Sequence, residues 1–398
     1  MQTFFWHSVG VALLLVGAHD GLAGGEDGVF DPPSGLYCSC PPTTPFGNSV
    51  VPEVAALDFV DGILVRVGWS LVEPSPGEYD WSRVDQQLEA AESYAKRVSL
   101  AIVNGPESPE WLEGFGVEMF DYSFHEQTRS MPVPWDAVYL ERWTAFIGAL
   151  GKKYANDDRI SLVYITHSSA NGFEMQLPFS PPDIVNWQEA GYNDALLIGA
   201  WMQTIDAFAE AFPRHSLSHD VHPVLGSNTV AEQVVAYTDE DGRYRGRVGV
   251  LAAWWMEHNA HEVYPDMYEL LGDASFRSHS EVQVARSYTN TPVHFGPEGL
   301  AGALDLALQS GIRYAEVWNS DLLNPDLHPM LTDRGEQLRR PFCDINADGS
   351  VDIEDLYATY PDAPDLNADG QADDLDRAIV RRRLRARGIE DCLTQPVE

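Results

Sequence analysis

Between about residues 30 and 340 the chain alternates short apolar runs with longer stretches whose apolar positions recur at helical spacing, the pattern of repeated βα units around a parallel sheet. Eight short runs read as strands: Gly35–Cys38, Gly62–Gly68, Val98–Val103, Ile160–Thr166, Leu217–His219, Val248–Trp254, Pro292–Phe295 and Arg313–Val317. The stretches between them predict helices over Val51–Leu57, Trp81–Ala95, Tyr139–Tyr154, Asn193–Phe212, Val230–Tyr237, Ser280–Thr289, Gly299–Gln309 and Thr332–Arg339. Strands each followed by a helix, in roughly 300 residues, predict an α/β fold: a closed (β/α)8 TIM barrel over residues 30–340.

Barrels of this kind carry their chemistry at the C-terminal ends of the strands. Those ends are rich in aromatic and acidic residues here. The second run leads to Trp69, the third to the segment Asn104–Trp111, and the fourth to His167 and then Asn171-Gly-Phe-Glu-Met175. The sixth leads to Trp254-Trp-Met-Glu-His258 and the eighth to Trp318-Asn-Ser-Asp321. Glu316 lies inside the eighth run, where alternation decides whether it faces the barrel interior or the helices. Glu298 stands at the start of a predicted helix, where a carboxylate also suits the positive end of the helix dipole.

The segment VRVGWSLVEPSPGEYDWSRVDQQLEAA, with SLAIVNGPESPEWL after it, resembles the strand-two and strand-three region of retaining glycoside hydrolases of the (β/α)8 clan that holds β-galactosidases, cellulases and β-mannanases. Arg66, Trp69, Pro76, Gly77, Tyr79, Asp80, Trp81, Asp85 and Leu88 carry the likeness, which covers residues 62–112. The resemblance implies cleavage of β-glycosidic bonds in a poly- or oligosaccharide by two carboxyl groups, about 5 to 5.5 Å apart for retention. It places the acid/base after the fourth strand and the nucleophile at the end of the seventh. After the fourth strand the nearby carboxylate is Glu174, although the clan's Asn-Glu dipeptide is absent because Asn171 and Glu174 are three apart. Glu298, in Pro292-Val-His-Phe-Gly-Pro-Glu-Gly299, is the first nucleophile candidate, with Glu316 and Glu257 as the others. Sugars stack their C–H faces on indole, so Trp69, Trp111, Trp254 and Trp318 are candidate substrate platforms. Arg66, His167 and Asn171 are candidate hydrogen-bonding partners of sugar hydroxyls. A rival reading is a barrel that kept a carbohydrate cleft but lost its nucleophile, acting as a binding or scaffold-attached component. No cofactor for catalysis is expected, since there is no catalytic zinc spacing, phosphate loop or nucleophile-elbow serine.

The tail holds two twelve-residue runs with calcium-loop spacing, starting at Asp344 and Asp365. Such a loop turns positions 1, 3, 5, 7, 9 and 12 toward a cation, with glycine at position 6. The ligands would be Asp344, Asn346, Asp348, Ser350, Asp352 and Asp355, then Asp365, Asn367, Asp369, Gln371, Asp373 and Asp376, with Ser350 and Gln371 giving backbone carbonyls. Two Ca2+ ions are therefore expected. The pair resembles the duplicated segments of type I dockerin modules over residues 343–392, which implies a small all-α calcium module and a possible cohesin-like partner.

The net charge of −36 argues against a nucleic-acid partner. An apolar run at Val11–Val16 followed by Gly21-Leu22-Ala23 reads as a signal peptide over residues 1–23, hence a secreted or cell-surface chain, and no segment is long enough to be transmembrane. Cys343 and Cys392 flank the tail module and suit a disulfide. Cys38 and Cys40, if extended, would sit at the far edge of disulfide geometry, so free thiols are expected there.

Overall fold

The structure, a computed structural model, describes residues 32–340 apart from 41–46, 48, 125–126, 240–242 and 245, and beyond these only 366, 376, 378 and 379. The described strands are β1 (Gly35–Cys38), β2 (Gly62–Gly68), β3 (Arg97–Val103), β4 (Met119–Phe124), β5 (Gln127–Pro132), β6 (Ile160–Tyr164), β7 (Ser216–Asp220), β8 (Val248–Trp255), β9 (Ser280–Val284) and β10 (Tyr314–Val317). β4 and β5 form an antiparallel hairpin outside the barrel. The other eight run parallel and close in the order β1, β2, β3, β6, β7, β8, β9, β10, with β10 pairing back onto β1. This is the predicted (β/α)8 barrel.

Alternation along each strand sorts the side chains into two layers. Tyr37, Leu64, Ala101, Leu162, Tyr164, Leu251, Ala253 and Tyr314 fill the interior together with Phe173 from a loop. Their strand neighbours, such as Leu36, Val65, Val163, Ala252 and Val282, pack outward against the helices in the larger cluster. Local signals start those helices where the chain needs them. Asp136 caps Ala137–Tyr154, Asn193 caps Asp194–Ala211, and Ser180 with Asp183 forms a capping box at Pro181–Glu189.

The seventh barrel strand is where sequence and structure part. It is β9, Ser280–Val284, within the stretch expected to be a helix, and Pro292–His294 is a single 3-10 turn rather than a strand. The alternation Ser-Glu-Val-Gln-Val has period two, but its polar members Glu281 and Gln283 face inward and its valines outward, the reverse of the usual hydrophobic-in reading. The helix of the sixth unit, Pro265–Arg277, begins with proline in its first turn and was not anticipated.

A second correction concerns the N-terminal cysteines. β1 ends at Cys38, the chain leaves extended geometry, and the Cα atoms of Cys38 and Cys40 come to 5.1 Å in a disulfide. The free-thiol expectation fails because it assumed a continuous strand. The signal segment, both Cys343 and Cys392, and all the expected calcium ligands except Asp376 lie outside the described residues. Asp376 is buried and accepts a hydrogen bond from Leu366 N at 2.7 Å. Among the described residues no helix is long and apolar enough to cross a membrane.

Candidate active site

The loop after β6 is pressed onto the turn after β3, backbone against backbone. Gly172 has φ +73°, and a Cβ there would stand 2.0 Å from Asn104 O; Gly105 has φ +56°, and its Cβ would stand 2.3 Å from Ser169 O. Only glycine allows both the left-handed conformation and this approach. The loop then offers Glu174, whose side chain keeps 23% of its surface open to solvent. Asn171 shapes the turn by accepting from Phe173 N (3.0 Å) and Glu174 N (2.9 Å) through Oδ1. Its Nδ2 donates to Glu174 Oε1 at 2.8 Å, and Gln176 Nε2 donates to Oε2 at 2.7 Å.

Asp220, the last residue of β7, lies beneath this loop with no more than 1% of its surface exposed. Its Oδ2 accepts from Met175 N at 2.9 Å, and its Oδ1 accepts from Ala253 N at 3.1 Å. His222 places Nδ1 3.0 Å from Asp220 Oδ2 and 4.0 Å from Glu174 Oε2. Burial raises the pKa of the Glu174 carboxyl, and the neighbouring Asp220 charge raises it further, against His222 and the two amide donors. Burial works against the charged form of His222, but the two carboxylates outweigh it and the ring titrates above its ordinary value.

Inside the barrel, alternation turns Glu316 inward, where it has no exposed surface. The hydroxyls of Tyr164 and Tyr314 each donate to Oε1 at 2.7 Å, and Gln283 Nε2 donates to Oε2 at 2.6 Å. Burial raises this carboxyl's pKa, while Gln283, the phenols and Arg66 counter it. Arg66, on β2, lies in the field of both Glu316 and Glu174. Its guanidinium donates to Cys40 O at 3.3 Å and lies over Phe173, 5.9 Å from the ring centre. Glu281 is occupied by Ser218 Oγ at 2.5 Å and by His279 Nδ1.

Of the residues singled out in the sequence, Glu174, Asn171, Arg66 and Glu316 therefore share one region. Glu298 does not join them: it is exposed and immediately precedes the helix Gly299–Gln309, with no strand before it. Glu257 packs at the same helix start, where a Cβ on Gly302 would stand 2.8 Å from its Oε2. Glu298 is corrected as a nucleophile candidate, because the strand that would have aimed it inward does not exist; Glu257 follows β8 as expected. Trp69 is corrected too, being wholly buried between Trp111, Trp143 and Phe146 with Nε1 on Glu73 Oε2 at 2.7 Å. His167 is buried on the helix side, bonded to Thr204 at 3.1 Å. Trp254 exposes 4% of its surface and donates to Val221 O at 2.7 Å, so it offers no open face for stacking. Trp111 and Trp318 are half-buried, and Trp318 donates to Val284 O at the end of β9. Asp220, His222 and Gln283 were missed. The first two could have been found, since they follow the fifth predicted run, Leu217–His219, by one and three residues.

No protein-family model matches this chain, and no curated protein matches it in sequence. Among solved structures it is similar to the catalytic domain of a β-amylase from Paenibacillus polymyxa, with 11% identity, 69% of this chain and 89% of that one covered, and a TM-score of 0.49. It is also similar to endo-glycoceramidase II from Rhodococcus sp. (13% identity, 68% and 66% covered, TM-score 0.43) and to a β-galactosidase from Marinomonas ef1 (12%, 71% and 53%, 0.43). The chain thus spans under two thirds of the latter two proteins. These likenesses are distant; the barrel stands on its own strand order, and the chemistry on the residues above.

Proposed function

We propose that this chain hydrolyses β-glycosidic bonds of a poly- or oligosaccharide, with Glu174 as the proton donor to the leaving oxygen. One observation carries the reading: Glu174 is a solvent-reaching carboxyl at the strand-end face of the barrel whose surroundings favour its protonated form, the state a general acid needs before bond cleavage. The resemblance over residues 62–112 supports the substrate class. Glu316 is the opposing carboxylate in this reading, held by two phenols and an amide with Arg66 as counter-cation, and retention is the stereochemical outcome expected. The tail is a calcium module that attaches the enzyme to a cohesin-like partner, and residues 1–23 direct export.

The test is turnover of a panel of aryl β-glycosides and β-linked oligosaccharides by the wild type and Glu174→Gln. A fall of roughly 10² to 10⁴-fold in kcat is expected, and the alkaline limb of kcat/KM should follow the Glu174 carboxyl. A specific observation favours a second reading, a carbohydrate-binding barrel without hydrolysis. β9 brings an amide, Gln283, to the interior position beside Glu316, and Glu316 itself has no exposed surface. Sugar binding without turnover, unchanged by Glu174→Gln, would select it.

A further inference from the structure

We propose that Asp220 and His222 form a charged pair that positions Glu174 and stabilises the carboxylate left when its proton departs, an inference that rests on Glu174 being the acid. Asp220 is tied to three parts of the chain at once. It accepts from the backbone of Met175, the residue after Glu174, from the backbone of Ala253 in β8, and from the His222 ring. All three partners are N–H donors, so the carboxylate acts here purely as an acceptor. A buried acceptor of this kind anchors the Glu174 loop to two strands through hydrogen bonds, each costly to leave unmade.

His222 completes the pair. Its ring is held edge-on to Tyr264 (5.2 Å between ring centres) and Trp254 (6.5 Å), which fixes the direction of Nδ1. That nitrogen is the atom nearest both carboxylates, at 3.0 Å from Asp220 and 4.0 Å from Glu174. The other titratable or charged groups facing this point are Tyr264, which feels both carboxylates, and Arg66, which feels Glu174. When the Glu174 O–H bond breaks and the proton joins the leaving oxygen, the new carboxylate meets an imidazolium already in place. The glycosidic C–O bond breaks in the same step as Glu316 bonds the anomeric carbon; water later displaces Glu316, its hydroxyl going to that carbon and its proton back to Glu174.

The experiment is titration of the Glu174 carboxyl by NMR of 13C-labelled glutamate, assigned by difference from Glu174→Gln, in the wild type and in His222→Gln. Loss of the cation should move the Glu174 titration upward by about one pH unit, with the alkaline limb of any glycosidase activity moving with it. An unchanged titration would overturn the pair. Should His222→Gln fail to fold, 15N shifts of His222 in the wild type decide: the ring should stay protonated above the ordinary histidine range, and a neutral ring at pH 6 overturns the proposal. The two readings fail separately. A shifted Glu174 without any turnover removes the hydrolase and leaves the pair, whereas Glu174-dependent turnover with no shift removes the pair and leaves the hydrolase.

Discussion

His167 shows how much a single side chain's surroundings change its chemistry. Its ring is buried 1% exposed against Tyr139, Thr204 and Trp201, and burial pushes its pKa down to about 3 from the ordinary 6.5. The folded chain holds this ring neutral while the unfolded chain protonates it below pH 6.5. Stability from this group is therefore complete above pH 6.5 and declines as pH falls toward 3. Urea unfolding at pH 7, 5.5 and 4.5 should show a decline of up to a few kcal/mol that is shallower in His167→Gln; identical slopes would refute the assignment. Gln283 makes a second residue-level case. Replacing it with leucine removes the amide that donates to Glu316 Oε2, and a loss of about 1 to 3 kcal/mol is expected. Thermal melts check this, and an unchanged midpoint would mean that water replaces the amide.

At the scale of elements, the site depends on two glycine turns more than on any strand. Gly105 and Gly172 let the segments after β3 and β6 meet, with Asn104 N donating to Gly172 O at 3.1 Å. Gly172→Ala adds a methyl group in the left-handed region, at about 1 to 2 kcal/mol, and drives it into a carbonyl. It should both destabilise the fold and displace Glu174, so that activity falls more than the folded fraction does. Equal losses of activity and folded protein would show that the loop merely joins two elements. The segment that resembles glycoside hydrolases belongs largely to this architectural layer as well. Tyr79 stacks on Trp81, Asp85 accepts from Tyr154 and Lys153, and Gly77 N donates to Glu73 Oε1, whereas Arg66 reaches the site.

For the whole molecule, the expected tail module makes its own prediction. Calorimetry of the full chain should count two Ca2+ per molecule, falling to one when Asp344 and Asp348 are both changed to alanine; no calcium binding in the wild type would sink the dockerin-like reading. The eight-unit barrel was legible because short apolar runs separated by helical stretches impose parallel packing whatever the details, and seven of the eight predicted runs overlap barrel strands. The seventh run, Pro292–Phe295, failed because that strand is β9 instead, where the interior turns polar. Glu281, Gln283 and Glu316 sit inside the barrel because each finds a partner there: Glu281 meets Ser218 and the nearby His279, and Glu316 meets the nearby Tyr314 together with Tyr164 and Gln283 from other strands. The sequence alone determined the strand rhythm, the strand-end position of Glu174 and the spacing of the tail loops, because these depend on neighbours a few residues apart. Only the tertiary structure decided that Asp220 and His222 stand beside Glu174, that no strand aims Glu298 into the barrel, and that Trp69 is core, because burial and charge proximity arise when distant strands close into a ring.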